Sequence, residues 1–233
     1  MKYLIGGFLS LLMACSTPSF NACSEKQMQD KILVFKSESR IEDKSREATV
    51  KIFSAREAGV GFGTGTVFKY KGEIVVLTAA HVVGGLENKI TVSDGAQEVE
   101  AQIIYLDLFA DLAVLTVGEG LDKKPLRLKP IKKSSFNLGE DVFYSGFPND
   151  SSLLTIRGYI AGMHPGEHLY MHSYGWPGAS GSAVLDRHGR LVGVLFAVDV
   201  GTDVVGFPTI IEDVIVVVPV WKMNFDLLDM NLR

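Results

Sequence analysis

The chain has 233 residues, enough for one large domain or two small ones sharing an interface, and 47% of them are hydrophobic, so a sizeable core can be buried. A net charge of −4 argues against a nucleic-acid binder, which carries a basic excess. The two cysteines, Cys15 and Cys23, both lie near the N-terminus, which excludes a disulfide staple or a cysteine-based zinc site in the rest of the chain. Twenty-four glycines against eight prolines point to many tight turns, as in an all-β protein.

Met1-Lys2 gives a short positive start, and residues 3–13 form an uncharged, mostly apolar run. That run is too short for an ordinary membrane span and suits the core of an export signal. It ends in Leu12-Met13-Ala14-Cys15, which resembles the bacterial lipoprotein box. The resemblance implies a signal peptide over residues 1–14 and a mature chain that begins at a lipidated Cys15 and is anchored to a membrane. Residues 15–47 are polar, apart from Ile32-Leu33-Val34-Phe35, and read as a tether with room for one short strand or helix.

From Ala48 the pattern changes to apolar–polar alternation, the mark of a half-buried strand. Gly61-Phe62-Gly63-Thr64-Gly65-Thr66-Val67-Phe68 follows. Its glycine spacing does not fit a nucleotide-binding loop, and no helix-forming run comes after it. A glycine-rich strand with close backbone neighbours fits better. A turn at residues 70–73 leads into Ile74-Val75-Val76-Leu77, a buried-type strand that delivers Thr78-Ala79-Ala80-His81. Residues 98–117 read as strand structure around Asp107-Leu108-Phe109-Ala110-Asp111-Leu112-Ala113-Val114-Leu115. A carboxylate set among apolar neighbours is costly unless hydrogen-bonded or paired, and orienting a histidine is one such use. Asp107 and Asp111 are both candidates on this ground.

The Lys-rich residues 121–136 read as a solvated connector. A second set of strands is expected at residues 138–148, 153–162, 168–173, 183–185, 191–197 and 214–218, with a charged Gly-containing turn at 186–190. Trp221, Phe225, Leu228 and Leu232 have the spacing of a short closing helix. His164, His168 and His172 are four apart, but Pro165 and Gly166 interrupt any helix and no carboxylate motif accompanies them, so no metal site is expected. Between the strands stands Gly175-Trp176-Pro177-Gly178-Ala179-Ser180-Gly181-Ser182. Taken alone it could be a plain turn. With a base nearby, the glycines would let the backbone expose amides to a developing oxyanion while Ser180 acts as a nucleophile.

The pieces Thr78-Ala79-Ala80-His81, Asp111-Leu112-Ala113-Val114-Leu115 and Gly178-Ala179-Ser180-Gly181-Ser182, in that order, resemble trypsin-like serine proteases. The likeness is greatest to the bacterial HtrA-type branch. An α/β-hydrolase would run serine, acid, histidine, and is disfavoured. The resemblance implies an all-β fold of two six-stranded antiparallel barrels with a short C-terminal helix. It covers residues 48–233, with barrel one at about 48–120 and barrel two at about 137–220. It selects Asp111 over Asp107 as partner of His81, with Ser180 as nucleophile and the backbone amides of Gly178 and Ser180 as oxyanion donors. His172, Tyr174, Ala197 and Val198 would line the substrate pocket. The expected activity is hydrolysis of polypeptides with no cofactor and no nucleic-acid partner. The alternative is an inactive protein-binding module on the same fold. The usual Ser-Gly-Gly reads Ser-Gly-Ser here, a pattern also found in some glutamyl endopeptidases, whose glutamate-reading histidine is missing from this chain. The PDZ domain usual in HtrA-type enzymes is not expected, and the oligomeric state is open.

Overall fold

Alternating strands with one buried face must cover that face, and closing a sheet on itself does so while removing its edges. Both halves of this chain close in that way. The computed structural model describes residues 39–57, 59–163, 166–202 and 208–232, and of residues 197–202 and 208–212 the backbone alone. The expected signal segment 1–14, Cys15, the tether up to residue 38 and His164 lie outside the described residues.

Barrel one is built from β1 (Thr49–Arg56), β2 (Gly59–Tyr70), β3 (Glu73–Thr78), β4 (Lys89–Ser93), β5 (Glu98–Asp107) and β6 (Leu112–Val117). The order is β1-β4-β5-β6-β3-β2, and antiparallel pairing of β1 with β2 closes it. Val50, Ile52, Val67, Val76, Val92 and Leu115 are buried on one face of its sheet, and Leu77 and Leu112 on the other. A short strand, β7 (Leu126–Arg127), adds in parallel to β2 from within the Lys-rich connector. That connector is therefore not wholly solvated: Leu126 and Ile131 are buried, and apolar residues scattered among lysines and prolines gave no periodic signal.

Barrel two comprises β8 (Asp141–Gly146), β9 (Leu154–Met163), β10 (Leu169–His172), β11 (Ala183–Asp186), β12 (Leu191–Thr202) and β13 (Pro208–Pro219). They close in the order β10-β13-β12-β11-β8-β9. Val142, Tyr144, Leu169, Met171, Val184 and Val217 are buried on one face of its sheet. β12 and β13 run further than their apolar stretches, with pairs such as Val200↔Ile210 continuing the ladder. Asp199, Gly201 and Asp213 interrupt the sequence pattern there, which shortens the expected strands.

Among the described residues three α-helices complete the fold: α1 (Arg40–Ala48), α2 (Ala80–Val83) and α3 (Phe225–Asn231). α1 lies in the last part of the stretch read as a tether and runs directly into β1. On the way it crosses barrel two. Glu42 is almost fully buried and accepts from Arg157 of β9 at 2.6 and 3.0 Å, while Arg46 donates to the Leu153 carbonyl and the Thr155 hydroxyl. A buried carboxylate is tolerated only with such charge-assisted partners. Among the described residues no helix is long and apolar enough to cross a membrane.

Candidate active site

β3 ends at Thr78, and the chain then makes the single helical turn of α2, which carries His81. Opposite it, the β5–β6 turn places Asp111, which is 8% exposed and adopts φ +54°. Left-handed backbone at an aspartate is tolerable but uncommon. Here it lets both carboxylate oxygens reach one residue. Oδ1 accepts from the His81 backbone N–H at 2.7 Å, and Oδ2 pairs with His81 Nδ1 at 2.7 Å. With Nδ1–H given to the carboxylate, Nε2 keeps its lone pair. Asp107 does different work. It caps the turn, accepting from the backbone N–H groups of Phe109 and Ala110 at 3.0 and 2.9 Å.

Ser180 sits in a tight loop between β10 and β11. Gly178 and Gly181 have φ of +94° and +88°, a region that favours glycine. A Cβ on Gly181 would stand 2.1 Å from the Thr64 carbonyl oxygen, so no side chain fits there. The Pro177 carbonyl accepts from Asn149 N–H at 2.6 Å. Because a trans peptide points its C=O and N–H in opposite directions, this bond turns the Gly178 N–H away from Asn149. Among the described residues the N–H groups of Gly178 and Ser180 meet no hydrogen-bond acceptor. The hydroxyl of Ser180 donates to the carbonyl of Phe196 at 3.2 Å rather than to His81.

Phe196 occupies a β-bulge, where the register of β12 against β13 shifts between Leu195 and Ala197. A bulge re-aims its residue. The Phe196 ring lies edge-on to His81 at 5.8 Å and is stacked on His168 at 5.8 Å. Nothing in the sequence marked Phe196, since bulges leave no periodic trace.

The glycine-rich strand gains a specific role. Its threonines face the serine loop from the other barrel. The Thr64 hydroxyl donates to the Gly178 carbonyl at 2.7 Å, and the Thr64 N–H donates to the Ser180 carbonyl at 2.8 Å. The Thr66 hydroxyl accepts from Ala183 N–H. Gly63, just before Thr64, leaves space for Val82, beside His81. The serine at 182 is accommodated as well. It is fully buried, it donates to the Ala179 carbonyl at 2.6 Å, and a Cβ at Gly146 would come within 2.3 Å of its oxygen.

Of the expected pocket residues, His172 is exposed and stacked on Tyr159 at 5.0 Å. Tyr174 is 50% exposed and leans on Trp176, and its carbonyl accepts from the Tyr144 hydroxyl at 2.5 Å. Burial pushes the Tyr144 hydroxyl well above the usual tyrosine range. Ala197 and Val198 lie on β12, paired with Val216 and Ile215, with only their backbone described. Among the described residues no ring contact or hydrogen bond joins His172 or Tyr174 to His81, Asp111 or Ser180.

A sequence profile described as the trypsin-like peptidase domain matches residues 63–194. Serine protease HtrA-like proteins of Staphylococcus aureus are 30% identical over 154 residues, which cover 58% of this chain and 20% of theirs. The chain thus spans about a fifth of the length of those curated relatives. Among solved structures, a serine endoprotease from Yersinia pestis superposes with a TM-score of 0.62 at 22% identity, over 84% of this chain and 68% of that one. The active form of a protease from M. tuberculosis gives 0.61 at 23% identity, over 78% and 80% of the two chains. The HtrA-type protease AlgW with a tripeptide gives 0.63 at 20% identity, over 78% and 59%.

Proposed function

This chain belongs to the trypsin-like peptidase domain family, and from that membership we propose that it is a serine endopeptidase working through an acyl-enzyme. The observation that carries the reading is the double grip of Asp111 on the backbone N–H and Nδ1 of His81, at 2.7 Å each. That grip fixes the tautomer a general base needs and stabilises the imidazolium that forms during attack. In the proposed reaction Ser180 Oγ attacks the carbonyl carbon of a peptide bond and gives its proton to His81 Nε2. The C–O bond forms as the carbonyl becomes an oxyanion held by the N–H groups of Gly178 and Ser180. His81 then protonates the leaving amine, the C–N bond breaks, and the acyl group stays on Ser180. Water, deprotonated by His81, then adds to the acyl carbon, the bond from that carbon to Ser180 Oγ breaks, and His81 returns its proton to Ser180 as the acid leaves. The polypeptide would lie beside β12 near Ala197 and Val198, adding its backbone to the sheet, with His172 and Tyr174 toward its side chains.

A fluorophosphonate probe tests this reading directly. It should label Ser180 in the wild-type protein, and Ser180→Ala should abolish both labelling and cleavage of unfolded casein, by on the order of 10⁶-fold in kcat. Cleavage that persists in Ser180→Ala would overturn the proposal. One contact favours the second reading, a protease-fold module that binds polypeptides without cutting them: Ser180 donates to Phe196 and not to His81. Wild-type protein that takes no label would decide for it.

The N-terminal sequence supports a further part of the proposal, that the protein is exported and anchored through lipid on Cys15. Metabolic labelling with a radioactive fatty acid should mark the wild-type chain and leave Cys15→Ala unmarked and free of the membrane fraction. Equal membrane association of both would refute it.

A further inference from the structure

The carbonyl side of His81 is held by a residue that the triad does not include. α2 is a single turn of four residues, too short to persist on its own. Its carbonyls need partners from outside the turn, because a helix end leaves its last C=O groups unsatisfied. The Ala80 carbonyl accepts from Gly84 N–H at 2.9 Å. The Val83 carbonyl accepts from the Ser54 hydroxyl and the Asn88 amide, at 2.8 and 2.9 Å. The other two, those of His81 and Val82, both accept from Nη2 of Arg56, at 2.6 and 2.8 Å.

Two glycines make room for that guanidinium. A Cβ on Gly61 would stand 3.0 Å from Arg56 Cζ, and one on Gly84 would stand 3.0 Å from Arg56 Nε. Gly84 also has φ +80°, where a side chain would be strained. Gly61 belongs to the glycine-rich strand β2. Its small size thus serves a charged side chain at the end of the neighbouring strand, which binds the turn that carries His81.

We propose that Arg56 is a positioning residue for His81, locking the α2 turn from its carbonyl side while Asp111 locks it from the amide and ring side. The role rests on the reading of His81 as the general base. It is a matter of geometry more than of stability. Arg56 is exposed, so water can replace its hydrogen bonds at little cost when it is removed. The turn would then be free to shift, and small misplacements of a catalytic group reduce rate steeply.

The test compares Arg56→Met, which keeps the stem and loses the donors, with Arg56→Lys, which keeps a cation able to reach a carbonyl. Rates are taken per active site, counted by fluorophosphonate titration. Arg56→Met should lower kcat by roughly 10- to 100-fold with KM within about twofold of wild type. Its thermal midpoint should move by no more than about 2 °C, and Arg56→Lys should recover part of the loss. Amide exchange over residues 81–84 should quicken in Arg56→Met, a readout independent of activity. Unchanged exchange overturns the proposal, as does a kcat within twofold of wild type in Arg56→Met. A wild-type protein that neither takes the probe nor cleaves casein would instead refute the peptidase reading, and the exchange measurement would still decide whether Arg56 holds the turn.

Discussion

Thr64→Val isolates the bond by which barrel one holds the serine loop of barrel two. Thr64 is fully buried, and valine matches its shape while removing the hydroxyl. The backbone bonds of residue 64 to Ser180 and Thr78 survive the change. Two partners do not: the Gly178 carbonyl, which accepts from Oγ1 at 2.7 Å, and the Phe147 N–H, which donates to it at 3.2 Å. Stranding a buried donor or acceptor costs about 1–3 kcal/mol each, and the longer bond sets the lower end, giving about 3 kcal/mol in all. For a domain of this size that lowers the thermal midpoint by about 6–12 °C. Gly178 also loses its anchor to barrel one through the peptide that follows it, so its N–H, in the peptide before it, is less well aimed. The loss of one oxyanion donor, about 10²- to 10³-fold in kcat, is the ceiling for that effect. Urea unfolding and casein hydrolysis measure the two losses separately, and Thr64→Ser, which keeps the hydroxyl, should show neither at comparable size. A Thr64→Val protein that melts within about 2 °C of wild type at full kcat would refute the reasoning.

Asp111→Asn should lower kcat by roughly 10⁴-fold by stabilising the wrong His81 tautomer, while Asp107→Asn should disturb only the β5–β6 turn; steady-state rates for the pair would expose a reversed assignment. Gly181→Ala places a Cβ against the Thr64 carbonyl at a φ of +88° and should cost about 3 kcal/mol or more, read as a lower urea midpoint.

The parts of this fold that repeat are the parts the sequence displays. Alternation over residues 49–117 and the apolar stretches of barrel two locate most strands, because each buries one face. What it conceals is irregular. β7 rests on the single buried Leu126, and the ends of β12 and β13 contain residues that strands usually avoid. At the site, His81, Asp111 and Ser180 stand out because their neighbours are small or apolar. Phe196, Asn149, Thr64 and Arg56 act through a bulge, a backbone N–H and contacts between strands far apart in sequence, and no local pattern encodes such partners. The choice between Asp107 and Asp111 shows the limit well. Both carboxylates sit among apolar residues, and only the three-dimensional turn gives one to backbone amides and the other to His81.

Pro177 and the resting hydroxyl of Ser180 bear on the same question, whether the site is set for chemistry or closed to it. Pro177 lends a fixed backbone to a peptide whose carbonyl is held at 2.6 Å by Asn149. That bond aims the Gly178 N–H without help from a substrate. The base is likewise assembled, through two bonds of 2.7 Å from Asp111. Against these stands the Ser180 bond to the Phe196 carbonyl at 3.2 Å, longer than an ordinary hydroxyl–carbonyl hydrogen bond. A bond of that kind is worth about 1 kcal/mol, less than a factor of ten in population. Rotation about one side-chain bond releases it, and a polypeptide pairing beside β12 would compete for the same strand. The short bonds thus hold His81 and the Pro177–Gly178 peptide in place, and only a weak one holds the Ser180 hydroxyl away from His81, the balance that the proposed peptidase would need at rest.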